Sequence, residues 1–360
     1  MPQIFDQEDD ANLMQIATPA PLVEVRRGPV VESRHRGHVA AVDPEGRLVA
    51  ALGAPDTVTY LRSSAKFHQA VPLVATGAAE RFGFTDREVA IACGSHSGQD
   101  EHAETVAVML GKIGLEASAL KCGTHEPFDR ETARRLVEKG ERPGVLRNNC
   151  SGKHAGMLAL ALHLGAPAET YDEPDNPVQL AIRRTVALFS DVSEDDLVTG
   201  TDGCGVPVYA VSVRAMALMF ARLVAPPESL TDEVRTACRR IVRAVASHPE
   251  MVGGTRERFD TEVMRAAGGR VVSKIGAEGV YTAGVLPSER WPRGLGLAFK
   301  IEDGEDRRAR PTVAIEALRQ LGLLDASGLE ALAPYASFPI NNHRGERVGE
   351  VRAAFELLRA

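Results

Sequence analysis

Cysteine, tryptophan, lysine and long apolar runs are all scarce in this 360-residue chain. It has five cysteines, one tryptophan and 5% aromatic residues. An odd number of cysteines without regular spacing excludes a disulfide framework and predicts a reduced, cytoplasmic protein. Apolar segments such as 210–224 are interrupted by arginine before they reach the roughly 18 residues that a membrane-spanning helix needs, so we expect no transmembrane helix.

A basic surface and a secretory leader are also missing. The formal net charge is -7 and the sequence pI is about 5.9, and no basic stripe is visible, which argues against a nucleic-acid partner. Residues 1–20 lack a positive stretch followed by an apolar one, so we expect no signal peptide. We predict that they form a poorly ordered N-terminal extension. With 44% hydrophobic and 25% charged residues, the remainder has the composition of an ordinary globular protein.

The few lysines that are present cluster in short motifs. Three of the seven lie in such motifs: Lys66 in R-S-S-A-K, Lys153 in N-C-S-G-K-H and Lys274 in S-K-I-G-A-E-G. Elsewhere the chain uses arginine for charge, so these lysines indicate a task that guanidinium cannot perform. Arginine does not lose its proton, whereas a desolvated lysine amine can become a base.

The first motif predicts a nucleophile and its base. Apolar residues recur at helical spacing from Phe67 onward, so a helix should begin near Ser63 and place Ser63 and Lys66 one turn apart. An unprotonated amine at that distance can take the proton of a serine hydroxyl. The S-x-x-K pattern alone is equally typical of a solvated helix face. Lys274, in a late strand running into glycine, resembles the K-T-G element of serine acyl-transfer enzymes, although a β-turn with an incidental lysine reads the same way.

Three polar loops could supply further groups. The segment 93–98, C-G-S-H-S-G, suits a polar ligand but is also ordinary loop chemistry. Segments 148–154 and 201–207 each precede an apolar stretch predicted as a helix, where backbone N–H groups favour anions. A metal held by Cys150 and Cys204 is conceivable there. From spacing alone, two inert buried thiols are favoured.

The element pattern predicts an α/β (α+β) fold with one antiparallel sheet assembled from both ends of the chain. Strand-like runs occupy about 21–62 and 270–360, and a helical part of about 63–269 is inserted between them. Within that part, residues 207–223 read as a single helix. We therefore predict one catalytic domain over residues 21–360.

Five segments together resemble one family, the asparaginases first known from Rhizobium. The resemblance runs from about Leu22 to the C-terminus, and five motifs in the same order are specific where any one is not. They are R-S-S-A-K-F-H-Q (62–69), C-G-S-H-S-G (93–98), N-N-C-S-G-K-H-A-G (148–156), T-D-G-C-G-V-P (201–207) and K-I-G-A-E-G (274–279). Phe67 departs from the family pattern, in which proline commonly follows the motif lysine, and this change should alter local packing more than chemistry.

The resemblance implies a fold similar to serine β-lactamases and penicillin-binding proteins, and hydrolysis of L-asparagine to L-aspartate and ammonia. It implies a homodimer without nucleic-acid or membrane partners. It also implies zinc, without implying that catalysis requires it, which reverses the preference from spacing. The implied residues are the Ser-Lys pairs Ser63 with Lys66 and Ser95 with Lys274, and the metal ligands Cys150, Lys153 and Cys204.

Substrate-binding candidates lie in the same segments: Arg62, His96, Asn149 and Asp202. Asp202 offers a carboxylate for the α-ammonium group of an amino acid, and Arg62 could hold the α-carboxylate or disfavour charge on the lysines. Three alternatives stay open at this point. The same machinery could hydrolyse glutamine, or a β-lactam or D-Ala peptide, and the chain could instead bind a metal or an amino acid without turnover.

Overall fold

The computed structural model describes residues 18–359, and two antiparallel sheets organise it. In chain order the strands are Ala20–Arg27 (β1), Val30–Val42 (β2), Leu48–Leu52 (β3), Val58–Tyr60 (β4), Val198–Thr201 (β5), Pro207–Ser212 (β6), Val271–Ile275 (β7), Val280–Val285 (β8), Leu295–Ile301 (β9), Phe338–Asn341 (β10), Arg347–Ala353 (β11) and Leu358–Arg359 (β12).

The large sheet is built from both ends of the chain, as predicted. Its main order is β10-β11-β1-β2-β9-β8-β7, with β3 pairing with β2 and β12. The N-terminal strand β2 pairs antiparallel with the C-terminal strand β9, from Gly37 opposite Ile301 to Val42 opposite Gly296. This pairing carries β7 toward the region where the first motif lies. The predicted fold class is therefore confirmed in its sheet and in its inserted helices.

The helices occupy mainly the middle of the sequence. Their bounds are Lys66–Gln69 (α1), Val71–Ala75 (α2), Ala78–Arg81 (α3), Asp86–Ala92 (α4), Asp100–Lys112 (α5), Arg130–Glu138 (α6), Ser151–Leu164 (α7), Pro177–Ser190 (α8), Val213–Val224 (α9), Asp232–Ser247 (α10), Pro249–Val252 (α11), Phe259–Ala266 (α12), Ala309–Gln320 (α13), Ala326–Ala331 (α14) and Ala333–Ala336 (α15).

Helix α9 covers one face of the large sheet. It is almost entirely apolar and buried, and it packs on β2, β8 and β9. The contact with β9 is close because Gly296 has no side chain: a Cβ there would lie 1.8 Å from Ala217 O and 2.6 Å from Ala221 N. On the other face, α13 and the chain after it bury a second cluster that includes Val313, Leu318 and Leu332.

The small sheet corrects one prediction. Residues 207–223 do not form a single helix, because 207–212 form β6, the middle strand between β4 and β5. The helix begins only after Ser212, whose side chain accepts a hydrogen bond from Ala215 N at 3.0 Å and so caps it. A continuous apolar run fits a buried strand as well as a buried helix. Ser212, a residue type that caps helices, marks where the strand ends and the helix begins.

Most of the predicted extension 1–20, namely residues 1–17, lies outside the described residues. Helix α13 lies between the C-terminal strands and agrees with the helix that the sequence predicts over 312–321. Between residues 18 and 359, no helix combines the length and apolar character needed to cross a membrane. All five cysteines are buried free thiols.

Replacing Gly296 with alanine should strongly destabilise the fold. The new methyl group would overlap the backbone of α9, so Gly296→Ala is expected to lower the free energy of unfolding by about 3 kcal/mol or more. Gly111→Ala is the matched control, because Gly111 is exposed in α5 and a Cβ there meets no atom within 4 Å. That control should stabilise the protein by about 0.5–1 kcal/mol. Urea unfolding measures both, and equal effects would contradict this packing.

Candidate active site

The first motif begins with a strained backbone. Residues Arg62–Ala65 form a short 3-10 helix directly after β4. Arg62 has φ of +50°, which is unfavourable for a residue with a side chain and typical of functional sites. Ser63 follows it, is partly exposed and lines a cavity of about 780 Å³. No hydrogen bond joins its hydroxyl to another group within residues 18–359.

Lys66 places its amine in the interior beside three oxygen atoms. The residue is 1% exposed, and its Nζ donates to Gly94 O at 2.7 Å, Ser95 Oγ at 2.9 Å and Asn149 O at 3.3 Å. The lysine of the first motif thus contacts the serine of the second. This differs from the predicted pairing of Lys66 with Ser63. Both serines nevertheless line the same cavity.

The loop that carries Ser95 is fixed by backbone contacts. Ser95 N donates to Val252 O at 2.8 Å, and Ser95 O accepts from Arg258 Nη2 at 2.6 Å. Gly94 packs so closely that a Cβ would lie 2.5 Å from Met251 O. The hydroxyl of Ser95 is therefore held at the cavity wall by the backbone before and after it.

Lys274 reaches the same region from β7. It is fully buried, and its Nζ donates to Ile275 O at 2.8 Å and to Asp260 Oδ2 at 3.4 Å. Burial lowers the pKa of Lys274 to about 8; Asp260 opposes this shift, and Lys66 and Arg258 add to it. Its predicted partner Ser95 makes no hydrogen bond with it in the described structure.

The cavity lies at a seam between the two sheets. Ser63 follows β4 of the small sheet, and Lys274 belongs to β7 of the large one. Gly276, just after β7, makes this approach possible, because a Cβ there would lie 3.0 Å from Leu61 O. Gly276 O also accepts a hydrogen bond from Arg310 Nη1 at 2.7 Å.

The two candidates for binding an amino acid form an ion pair. Arg62 Nε donates to Asp202 Oδ1 at 2.8 Å, and both side chains are largely shielded. Burial alone would raise the pKa of Asp202, but Lys153 and Arg62 together outweigh burial and lower that pKa. The carboxylate therefore stays ionised. Asn149 lines the cavity and joins the site through its carbonyl contact with Lys66.

His96 lies behind the cavity. The ring is fully buried and is not among the residues that line the cavity, and its assignment as a substrate-binding residue stays a prediction. Nε2 contacts Ser151 Oγ at 3.0 Å, Nδ1 accepts from Gly98 N at 3.2 Å, and the ring stacks on His102. Burial, with His102 adding to it, lowers the pKa of His96 well below its usual value. The neutral His96 ring therefore supports the 93–98 loop through these contacts.

The predicted metal ligands do come together. Cys150, Lys153 and Cys204 are all buried, and Lys153 Nζ donates to Cys204 Sγ at 2.9 Å. The neighbouring Cys204 side chain lowers the pKa of the Cys150 thiol, and the Cys150 side chain together with burial raises the pKa of Cys204. Burial would lower the pKa of Lys153, but the two sulfurs raise it.

This donor set fits zinc if the lysine amine is one ligand. Two thiolates and a nitrogen are donors that zinc prefers, and three protein ligands leave a fourth position open. Across residues 18–359 no group of three His, Cys, Asp or Glu side chains is arranged to hold a metal. A site here would thus depend on Lys153, which must release a proton to bind.

Two site residues were not predicted from the sequence. Arg258 contacts the carbonyl of Ser95, and Asp260 contacts Lys274. Asp260 lies in the first turn of α12, where an acidic residue ordinarily complements the helix dipole at the surface. In the sequence, Asp260 therefore looks the same as an acidic residue at the exposed start of a helix. Only the burial of the side chain reveals its role.

Comparison with known proteins gives a family match over nearly the whole chain. The model of the family described as L-asparaginase II matches residues 23–353, a range that includes all five motif segments. No curated protein matches this chain.

Similar solved structures include a probable glutaminase from Bacillus subtilis complexed with 6-diazo-5-oxo-L-norleucine. It is 11% identical, with 80% of this chain and 85% of that chain covered and a TM-score of 0.38. A Bacillus glutaminase is 14% identical, with 80% and 91% covered and a TM-score of 0.36. A β-lactamase from Burkholderia ambifaria is 15% identical, with 79% and 95% covered and a TM-score of 0.35.

Proposed function

Because this chain belongs to the L-asparaginase II family, we propose that it hydrolyses the side-chain amide of L-asparagine to L-aspartate and ammonia. The resemblance read from the sequence is confirmed at the level of the family, whose members act on amides as hydrolases. The choice of asparagine and the Ser-Lys chemistry are our proposal. The observation that carries it is the buried Lys66 amine in contact with Ser95 Oγ at the wall of a cavity that Ser63 also lines.

Ser63 is the proposed nucleophile. Its hydroxyl is partly exposed and uncommitted to other groups in the described structure, so it is free to approach a bound amide carbon. Two of the three contacts of Lys66 are carbonyl oxygens, which have no proton to give. In the proposed neutral form, the Lys66 amine keeps its two N–H groups for these carbonyls and accepts from the Ser95 hydroxyl, the one possible proton donor among the three contacts. Ser95 therefore relays the proton of Ser63 to Lys66 as the new C–O bond forms.

The rest of the site binds the amino acid and assists the leaving group. The Arg62 and Asp202 ion pair offers opposite charges for the α-carboxylate and α-ammonium groups, and Asn149 adds polar atoms at the cavity wall. Lys274 supplies a second amine, adjacent in sequence to Ile275 and Gly276 of the cavity wall. Water then hydrolyses the acyl-enzyme and releases aspartate.

Zinc, if bound by Cys150, Lys153 and Cys204, would shape the pocket. A bound zinc ion can polarise a carbonyl or activate water. In this chain the three proposed metal ligands lie close in sequence to proposed substrate-binding residues: Asp202 is two residues from Cys204, and Asn149 precedes Cys150. These neighbours would be held in place by the metal-bound loops. A homodimer and a cytoplasmic location complete the proposal.

Substitution of the two serines tests the assignment. Ser63→Ala should lower kcat by about a thousandfold or more, since the attacking oxygen is removed. Ser95→Ala should lower it by about a hundredfold or more, since the relay is interrupted. Ser64→Ala is the matched control, because the Ser64 hydroxyl only donates to Leu61 O at 2.6 Å. Ammonia release measures all three, and near-wild-type turnover in Ser63→Ala would end the assignment.

Substrate choice is tested by steady-state assays on asparagine and glutamine. We expect kcat/KM to favour asparagine by about tenfold or more, the discrimination that one methylene allows. Nitrocefin should not be hydrolysed. A preference for glutamine, or turnover of nitrocefin alone, would replace the proposed substrate. Binding of asparagine without ammonia release would replace the enzyme by a binding protein.

Metal binding is tested by elemental analysis after exposure to zinc and removal of the excess. Wild-type protein and Cys238→Ala, which alters a buried thiol of α10, should retain stoichiometric zinc. Cys204→Ala should lose it. Zinc content should also fall as pH is lowered, because protons compete for thiolates and the amine. The same zinc content in all three proteins would exclude this site.

A further inference from the structure

A buried carboxylate outside the proposed machinery contacts three consecutive residues of β7. Asp260 is fully buried in α12. Its oxygens accept from Ser273 Oγ at 2.9 Å, from Ile275 N at 2.9 and 3.2 Å, and from Lys274 Nζ at 3.4 Å. The Ser273 hydroxyl and the Ile275 N–H are neutral donors. The third donor is the amine of Lys274, the lysine of the predicted pair Ser95 with Lys274.

An ionised carboxylate in the interior must be paired to be tolerated. Asp260 lies 3.4 Å from Lys274 Nζ and therefore favours the ammonium form of Lys274. The surrounding groups act the other way on the lysine: Arg258 just before α12 is a cation, and Lys66 from α1 adds a positive charge once it has taken the proton of Ser63. Arg310 from α13 faces Asp260. Two neighbouring titratable groups stay neutral because burial raises their pKa, namely Tyr281 of β8 and Cys93 after α4.

We propose that Asp260 is a positioning residue that keeps Lys274 as an ammonium ion and aims it to protonate the leaving amide nitrogen. This inference rests on the proposed function and assigns its second amine a definite role. Because Lys66 contacts the Ser95 hydroxyl, it is the group placed to receive a proton. Lys274 is paired with the Asp260 carboxylate, which favours its ammonium form, so Lys274 is the group placed to give a proton.

The proton balance of the step closes within the site. When the tetrahedral intermediate collapses, the C–N bond breaks, the nitrogen takes a proton from Lys274 Nζ, and ammonia leaves. Lys274 is then neutral. In the second half of the reaction the attacking water gives its proton to Lys274, which restores the ammonium ion, and Ser63 recovers its own proton through Ser95 from Lys66. Asp260 keeps the same charge throughout.

The sign of the pH dependence follows from the lysine. The pKa of Lys274 is about 8, so the ammonium form is present below that pH and is lost as pH rises through it. Activity that needs the ammonium form should decline on this alkaline limb. Removing the negative charge of Asp260 removes the contribution that raises this pKa, so the decline should begin at lower pH.

The experiment compares Asp260→Asn with wild type in two measurements. The first is the pH dependence of kcat for ammonia release. The second is NMR titration of the protein labelled with [ε-13C]lysine, which is practical because the chain has only seven lysines, with Lys274→Arg used for assignment. We expect the alkaline limb and the Lys274 titration to move to lower pH by about one unit or more. Ser273→Ala, which removes a neutral partner of the same carboxylate, should move neither.

Each outcome decides the question. Unchanged titration of Lys274 in folded Asp260→Asn overturns the proposal, as does an equal shift in Ser273→Ala. A shifted titration with an unmoved alkaline limb overturns the role in proton donation. If wild type hydrolyses no amide, the proposed function fails, and the NMR titration still tests the hold of Asp260 on Lys274. Asp260→Ser, smaller and also uncharged, replaces Asp260→Asn if that variant does not fold.

Discussion

The site depends on burying the amine of Lys66 beside two carbonyl groups and one hydroxyl. The Nζ atom lies within hydrogen-bond distance of Gly94 O, Ser95 Oγ and Asn149 O, and none of these three groups is an anion. The arrangement requires two loops to approach the lysine closely. Glycine makes this possible on both sides: Gly94 packs against Met251 O, and Gly152 lies where a Cβ would come within 2.5 Å of Ile91 O. The glycines of the motifs are thus part of the chemistry, because they let the carbonyls reach the amine.

A second constraint is the balance of buried charge. Lys66, Lys274 and Arg258 converge on one region, and among the described residues in contact with them the buried carboxylate is Asp260. In the proposed reaction, positive charge in a shielded site would favour an anionic tetrahedral intermediate over a neutral amide. Lys66 and Arg258 also lower the pKa of Lys274, whereas Asp260 raises it, so the proton on Lys274 is sensitive to its neighbours.

Sequence patterns predicted the architecture better than the pairing inside the site. The strands at both ends of the chain were predictable because turn residues and β-branched runs delimit them. A single sheet assembled from these strands requires an N-terminal strand to pair with a C-terminal one, as β2 does with β9. Motif spacing placed Ser63 and Lys66 close together, yet the amine turned to Ser95, because a long flexible side chain selects its partner by tertiary contacts. Asp260 could not be predicted as a site residue, because its burial depends on how α12 packs on β7 and no local sequence pattern encodes that packing.

The location of the proposed catalytic groups on two sheets has a consequence for heat inactivation. Ser63 follows the small sheet and Lys274 belongs to the large one, and the two segments approach each other where Gly276 lies against Leu61 O. Each sheet keeps its own ladder of hydrogen bonds, whereas the junction relies on a few close contacts. On warming, the junction should loosen first, so turnover would disappear at a temperature at which circular dichroism still reports native strands and helices.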